Sequence, residues 1–127
     1  MKLFQTLWLA VPAIVLITGC ASQPTQLYNY ENYSDSYYDY KKNPSDESAL
    51  EYQKAVELTI ENAKESTSGR VPPGMYANLG YIYLKSGKSK EAIDNFTKEK
   101  ALYPESAHFM DRMIKKVEAA QGEKDDK

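Results

Sequence analysis

Cysteine is almost absent from this chain. Cys20 is the only one in 127 residues, so no internal disulfide can form. Histidine is as scarce: His108 is alone, and no His, Cys or paired-carboxylate spacing matches a metal site. A solitary histidine near a helix start reads as a surface residue. With no nucleophile beside a base and no Gly-rich loop, neither nucleophilic catalysis nor phosphate binding has residues to work with. The expectation is therefore a protein that is not an enzyme, with no cofactor and no metal. Excess positive charge is also missing, with 16 Lys and Arg against 18 Asp and Glu. A basic stripe for nucleic acid is thereby excluded. The longest apolar run, Leu3 to Ile17, is broken by Gln5, Thr6 and Pro12 and is too short to span a bilayer as a mature helix.

What is present begins with an address. Lys2 followed by that apolar run has the layout of a secretory signal. Ile17-Thr18-Gly19-Cys20 resembles the lipobox of bacterial lipoproteins, in which an aliphatic and two small residues precede the modified cysteine. This predicts a signal peptide over 1–19 and lipidation at Cys20, with acyl chains holding the new N-terminus to a membrane by burying many CH₂ groups. Removing residues 1–19 from 127 leaves 108, and losing Lys2 takes the formal charge from −2 to −3. Lipoprotein sorting implies the periplasmic face of the outer membrane, because Ala21-Ser22 follows the cysteine without the Asp that retains many lipoproteins at the inner membrane. Residues 20–26 carry the lipid and form a polar tether with a proline and no apolar periodicity.

The remainder, at 42% apolar and 27% charged for the whole chain, is ordinary globular composition for one small domain over 27–120. Six of the eleven tyrosines fall between Leu27 and Lys42, and Tyr30, Tyr33, Tyr37 and Tyr40 follow steps of three and four, one face of a helix. Those rings are either core or an exposed aromatic platform. Asn43-Pro44 ends the segment. Ser45 or Asp46 caps a second helix to about Lys64, with Ala49, Tyr52, Val56, Ile60 and Ala63 as its apolar stripe. Glu65 to Gly74 is a loop. A last helix runs from about Glu105 to Ala120, with Met110, Met113, Ile114 and Val117 inward, and 121–127 is a charged, disordered tail.

Between these lies the most organised stretch, Tyr76 to Pro104, two helices joined by a turn at Gly87. It resembles a tetratricopeptide repeat. Tyr76 stands at the large aromatic, Leu79-Gly80 at the Leu-Gly pair, Tyr83 at the next aromatic and Gly87 at the turn, while Ala92, Phe96 and Pro104 complete the second helix and its stop. Gly80 and Ala92 are small where two backbones approach, and Tyr83 and Phe96 fill the space beside them. Glu99 departs from the pattern at a position that is usually small, which predicts irregular packing of the next helix. The fold expected is all-α, a bundle of about five helices with one tetratricopeptide-like helix-turn-helix pair and a C-terminal capping helix.

The lipobox, Leu27-Tyr-Asn-Tyr-Glu-Asn-Tyr, Arg70-Val-Pro-Pro-Gly-Met-Tyr-Ala, Lys98-Glu-Lys-Ala and Pro104-Glu-Ser with Phe109-Met-Asp-Arg together resemble a family of bacterial lipoproteins known only as a domain of unknown function, DUF4810. That resemblance implies an envelope protein, and it implies a partner such as a pore-forming lipoprotein of the curli-secretion type. If the hairpin follows repeat geometry, its first helix presents Ala77, Asn78, Tyr81, Leu84 and Lys85 as a mixed strip for a peptide or partner helix. Asn78, Tyr81 and Lys85, with Tyr33 and Tyr37 of the tyrosine-rich helix, are the candidate partner-binding residues. The leading expectation is a lipid-anchored periplasmic adaptor with a membrane and a protein as partners and no small-molecule substrate. The alternative is a structural or adhesive surface lipoprotein that uses the tyrosine-rich helix.

Overall fold

A computed structural model of the protein describes residues 26–125. The expected signal peptide, Cys20 and most of the expected tether lie outside the described residues. Five α-helices follow in order: α1 (Tyr33–Lys42), α2 (Asp46–Glu61), α3 (Met75–Lys85), α4 (Ser89–Leu102) and α5 (Ala107–Asp125). One 3-10 turn, Asn62–Glu65, extends α2, and another, Pro104–Ser106, precedes α5. Among the described residues there is no strand. The main helix contacts are between consecutive helices, α1 on α2, α2 on α3, α3 on α4 and α4 on α5. The result is a row of antiparallel neighbours in which each helix borrows its core from the next.

Local chemistry sets the ends. Ser45 accepts a hydrogen bond from the Ser48 backbone N–H at 3.1 Å and its own N–H donates to the Ser48 hydroxyl at 3.0 Å, a reciprocal cap at the start of α2. At the other end of the hairpin, α3 stops at Gly87, whose φ of 74° suits a residue without Cβ. The Gly87 N–H donates to the Leu84 carbonyl and the Lys88 N–H to the Tyr83 carbonyl, the paired bonds of a Schellman turn. Lys88 then lies 5.5 Å from the centre of the Tyr83 ring. α4 ends at Leu102, and Pro104 opens the next turn, where its missing N–H costs nothing.

Two clusters fill the row. Ala92, Phe96, Met110 and Val117 form one between α3, α4 and α5, with Leu84, Ile93, Met113 and Ile114 packed against it. A Cβ on Gly80 would sit 2.8 Å from two Phe96 ring carbons and 3.1 Å from the Ala92 carbonyl, so α3 and α4 approach closely here. Tyr52, Val56 and Leu79 form the other, between α1, α2 and α3, with Tyr33, Tyr40 and Ile82 around them. Tyr83 touches both clusters.

Two boundaries and the role of one residue differ from the sequence expectations. The tyrosine-rich helix begins at Tyr33, so Tyr30 is not on its face: Glu31 just ahead has a φ of 47°. That left-handed residue is held by Asn29 and Asn62, both of which donate side-chain hydrogen bonds to its carboxylate. Thr59 Oγ1, fully buried, lies 3.0 Å from the Tyr30 carbonyl and fixes the same corner from α2. The tail expected to be disordered from Gln121 is helical through Asp125. Glu99 is buried, and its carboxylate accepts the N–H of Gly74 at 2.7 Å and of Ala77 at 3.2 Å. The acidic departure from the repeat pattern is therefore an N-terminal cap for α3 supplied from α4, at the helix end that favours negative charge. α5 packs along α4 all the same, joined by an ion pair of 2.6 Å between Lys100 and Asp111.

Candidate functional site

The residues singled out in the sequence come from two helices that are not consecutive, α1 and α3, and the structure draws them together across α2. On α1, Tyr33, Tyr37 and Tyr40 fall on one face, as their spacing requires. All three lean on Tyr52 of α2, with ring centroids 5.8, 5.5 and 5.5 Å from it, and Tyr40 lies nearly parallel to it. Tyr52 is 6% exposed. Burial first, and then the neighbouring Tyr33 hydroxyl, push its phenol well above the usual tyrosine range. The face is thus core at its centre and open at its edges: Tyr33 and Tyr40 are half-buried while Tyr37 is 41% exposed.

From α3, Asn78 donates its side-chain amide to the Tyr33 hydroxyl at 3.0 Å, and Lys85 Nζ lies 3.4 Å from the Tyr40 hydroxyl. The two helices are stitched at both ends of one strip. Tyr81, one turn from each, is 51% exposed, and the Lys85 ammonium lies 5.7 Å from its ring centre. Lys41 stands 5.5 Å from the centre of the Tyr37 ring. Each cation sits over an aromatic face, a contact worth about 0.5–1 kcal/mol at exposed sites. Beneath the strip, the Tyr83 hydroxyl lies 3.4 Å from Glu57, which also accepts from Gln53 at 2.8 Å. Burial and then the Glu57 carboxylate raise the Tyr83 phenol.

The five candidate binding residues therefore divide. Tyr33 and Asn78 spend their polar atoms on each other. Tyr37, Tyr81 and Lys85 remain open to solvent. Ala77 and Leu84, expected on the strip, instead pack towards the Phe96 cluster, because a helix face one hundred degrees wide cannot serve both α1 and α4. Of the hairpin residues, Leu79, Gly80, Ala92 and Phe96 are buried between helices, Tyr83 bridges the two clusters, Gly87 makes the turn and Pro104 follows the end of α4. Tyr76 is half-buried under Lys98, whose ammonium lies 5.6 Å from its ring centre.

Sequence reasoning missed the devices that join distant segments. Arg70 donates to the Leu102 carbonyl at 3.1 Å and stacks 5.2 Å from the Tyr103 ring centre, closing the loop onto the end of α4. The Tyr103 hydroxyl donates to the Val71 carbonyl, and burial, ahead of the nearby Tyr28 hydroxyl, pushes its pKa up to about 12. No sequence periodicity signals these contacts, although Arg70 beside Val71-Pro-Pro was a conspicuous element of the loop. His108 is exposed at the start of α5. Among the described residues, no group of His, Cys, Asp and Glu is arranged to hold a metal, and no helix is long and apolar enough to cross a membrane.

What the strip can do is bind. Rigid phenol rings with fixed ammonium groups at their edge offer apolar area, hydroxyls and positive charge at low entropic cost. A family model described as a domain of unknown function (DUF4810) matches residues 27–113, more than half of the chain and every helix up to the second turn of α5. No curated protein and no solved structure matches.

Proposed function

We propose a binding function for this chain, which belongs to the DUF4810 family: a lipid-anchored adaptor that holds a protein partner in the bacterial envelope, without catalysis. The observation that carries the reading is the α1–α3 strip. Tyr37, Tyr81 and Lys85 are exposed on two helices pinned by Asn78–Tyr33 and Lys85–Tyr40. Open aromatic rings on an immobilised base lose little freedom when a partner covers them. The lipobox at Cys20 supports an anchor, and Ala21-Ser22 after it supports the periplasmic face of the outer membrane. The resemblance to envelope lipoproteins supports a pore-forming lipoprotein of the curli-secretion type as the class of partner.

A photo-reactive side chain at position 81, in intact cells, is expected to give one discrete crosslinked adduct. The same group at Lys90, exposed on α4, is expected to give none. Equal labelling from both sites would remove the strip from the reading. Cys20→Ala is expected to leave an uncleaved precursor without acyl chains, and normal maturation of that variant would remove the anchor.

A second reading, a surface adhesin, has one observation in its favour. Tyr38 is 61% exposed on the outer side of α1, with the Lys42 ammonium 5.6 Å from its ring centre. It predicts that protease added to intact cells removes the domain.

A further inference from the structure

We propose that the bundle end built from the loop 66–74, the last turn of α4 and the first turn of α5 is a lipid-docking surface, which rests on the bilayer that anchors Cys20. The proposal rests on the lipid-anchor reading and adds to it a contact and an orientation.

The first observation is where the described chain starts. The carbonyls of Gln26 and Leu27 accept hydrogen bonds from Thr67 and Ser68 at 3.3 and 3.1 Å. The chain therefore enters the bundle at the α2–α3 loop. α2 ends there, α3 begins there, α4 ends there and α5 begins there, because consecutive helices run antiparallel. The segment Ala21 to Gln26 reaches roughly 20 Å when fully extended. The sixteen residues of α2 alone span about 24 Å. The tether is no longer than the bundle, so turning the opposite end, with the Gly87 turn and the start of α2, down onto the membrane would need the tether fully stretched.

The second observation is what this end exposes. Leu27 is 59% exposed and Phe109 56%, two of the most open large apolar side chains among the described residues. Phe109 is the third residue of α5, within one turn of that end. At the same end lies an open groove of about 440 Å³ lined by Arg70, Val71, Tyr76, Lys98 and Leu102 among others. Its two cations already lie over aromatic rings, Arg70 over Tyr103 and Lys98 over Tyr76. Both are exposed and keep further N–H donors for phosphate oxygens. Glu65 and Glu105 at the same end offset that charge, so the apolar pair supplies insertion and the cations supply register on headgroups. Leu and Phe beside Arg and Lys is the composition of an interfacial contact.

The orientation has a consequence for binding. Lys85, the last residue of α3, is carried about 15 Å from the docked end. The α1–α3 strip then runs up from the docked end, with Lys85 and Tyr40 farthest from the headgroups, where a partner can reach it.

Acylated full-length protein provides the test, because with Cys20 blocked by lipid any introduced cysteine is the single free thiol. Glu105→Cys and Ser86→Cys, both at exposed positions on opposite ends, are each labelled with bimane. The protein is reconstituted in phosphatidylethanolamine–phosphatidylglycerol vesicles that contain lipid with a shallow doxyl quencher. Quenching at position 105 is expected to exceed that at 86 by about threefold. Adding Phe109→Ser, an exposed position whose loss leaves helicity intact, is expected to bring the signal at 105 down towards that at 86. Equal quenching at the two ends, or quenching at 105 unmoved by Phe109→Ser, overturns the docking surface. Intact mass on the same sample reports acylation. A chain without acyl groups removes the anchor reading and this proposal with it, whereas an acylated chain with equal quenching removes this proposal alone.

Discussion

The two cores of this small row of helices solve the same problem with different materials. Between α3, α4 and α5 the packing is apolar and tight: Phe96 is 1% exposed, Met110 and Val117 close on it, and Gly80 lets the backbones approach. Between α1, α2 and α3 the packing is a stack of phenols around Tyr52, with hydroxyls paired to Asn78 and Lys85 at the edge. Each fully buried apolar side chain in the first core contributes about 1.5–3 kcal/mol. The second core gains part of its stability from ring contacts worth about 0.5–1.5 kcal/mol each, and leaves ring edges in water. The first holds α3, α4 and α5 together, and the second carries the open surface. A region that leaves aromatic groups open to solvent cannot also bury them completely.

The sharpest way to break this comparison is at Phe96. Phe96→Ala is expected to cost about 4 kcal/mol, measured by urea unfolding of the whole domain. Gly80→Leu, which drives side-chain atoms into the Phe96 ring and the Ala92 carbonyl, is expected to cost about 3 kcal/mol. A loss of less than 1 kcal/mol would show that α3 and α4 stand further apart than described. Glu99→Ala is expected to cost about 2 kcal/mol, because it strands two N–H groups at the start of α3. Hydrogen exchange at Gly74 and Ala77 is expected to rise before that of α5, and simultaneous loss would mean that Glu99 supports the whole core instead.

Alkaline pH probes the phenols. A phenol whose folded pKa is raised stays protonated in the native state while its unfolded counterpart ionises near 10. Its contribution to stability is therefore complete below pH 10 and is lost as pH climbs through the folded value. Tyr103, pushed up to about 12, defines a window between pH 10 and 12, and Tyr52 and Tyr83 are shifted in the same direction. Tyr103→Phe is expected to cost about 1 kcal/mol at pH 7 through the lost bond to Val71. It is also expected to flatten the fall of stability across that window, so the two melting curves converge. A slope unchanged from the parent protein would assign the alkaline loss to other groups. The smallest effect is expected on the open surface. Tyr37→Ala with Tyr81→Ala is expected to change stability by about 0.5 kcal/mol or less at Tyr81 and about 1 kcal/mol at Tyr37, whose ring leans on Tyr52, while abolishing the adduct formed when the photo-reactive group is carried at position 85 instead. Global unfolding of that double variant would make the strip core and not surface.

Much of the architecture was legible from local pattern. The stripes Tyr52–Val56–Ile60–Ala63 on α2 and Met110–Met113–Ile114–Val117 on α5 are inward in the structure, and Ser45, Gly87 and Pro104 stand at the helix ends where their chemistry places them. The candidate site was legible only in part. Spacing put Tyr33, Tyr37 and Tyr40 on one face and Asn78, Tyr81 and Lys85 on another, but it did not show that the two faces meet, because Tyr33 and Asn78 are 45 positions apart. It misplaced Tyr30 on the helix, since the distant contacts of Asn62 with Glu31 and of Thr59 with the Tyr30 carbonyl help hold the turn that starts α1 at Tyr33.

The sequence by itself determined the five helices and the turn between α3 and α4, because helical periodicity, caps and a left-handed glycine act over a few residues. The same local reading marked Glu99 as an anomaly in a repeat-like hairpin. Only the tertiary structure decided what that carboxylate is for, and which tyrosines stay wet. Both depend on partners 22 to 45 positions away, and a hydrogen bond or a buried ring face exists only once packing has set the distance. Tyr81 and Asn78 lie on one face of one helix, yet Asn78 is taken by Tyr33 and Tyr81 is left to solvent. The position of α1, and no property of either residue, separates them.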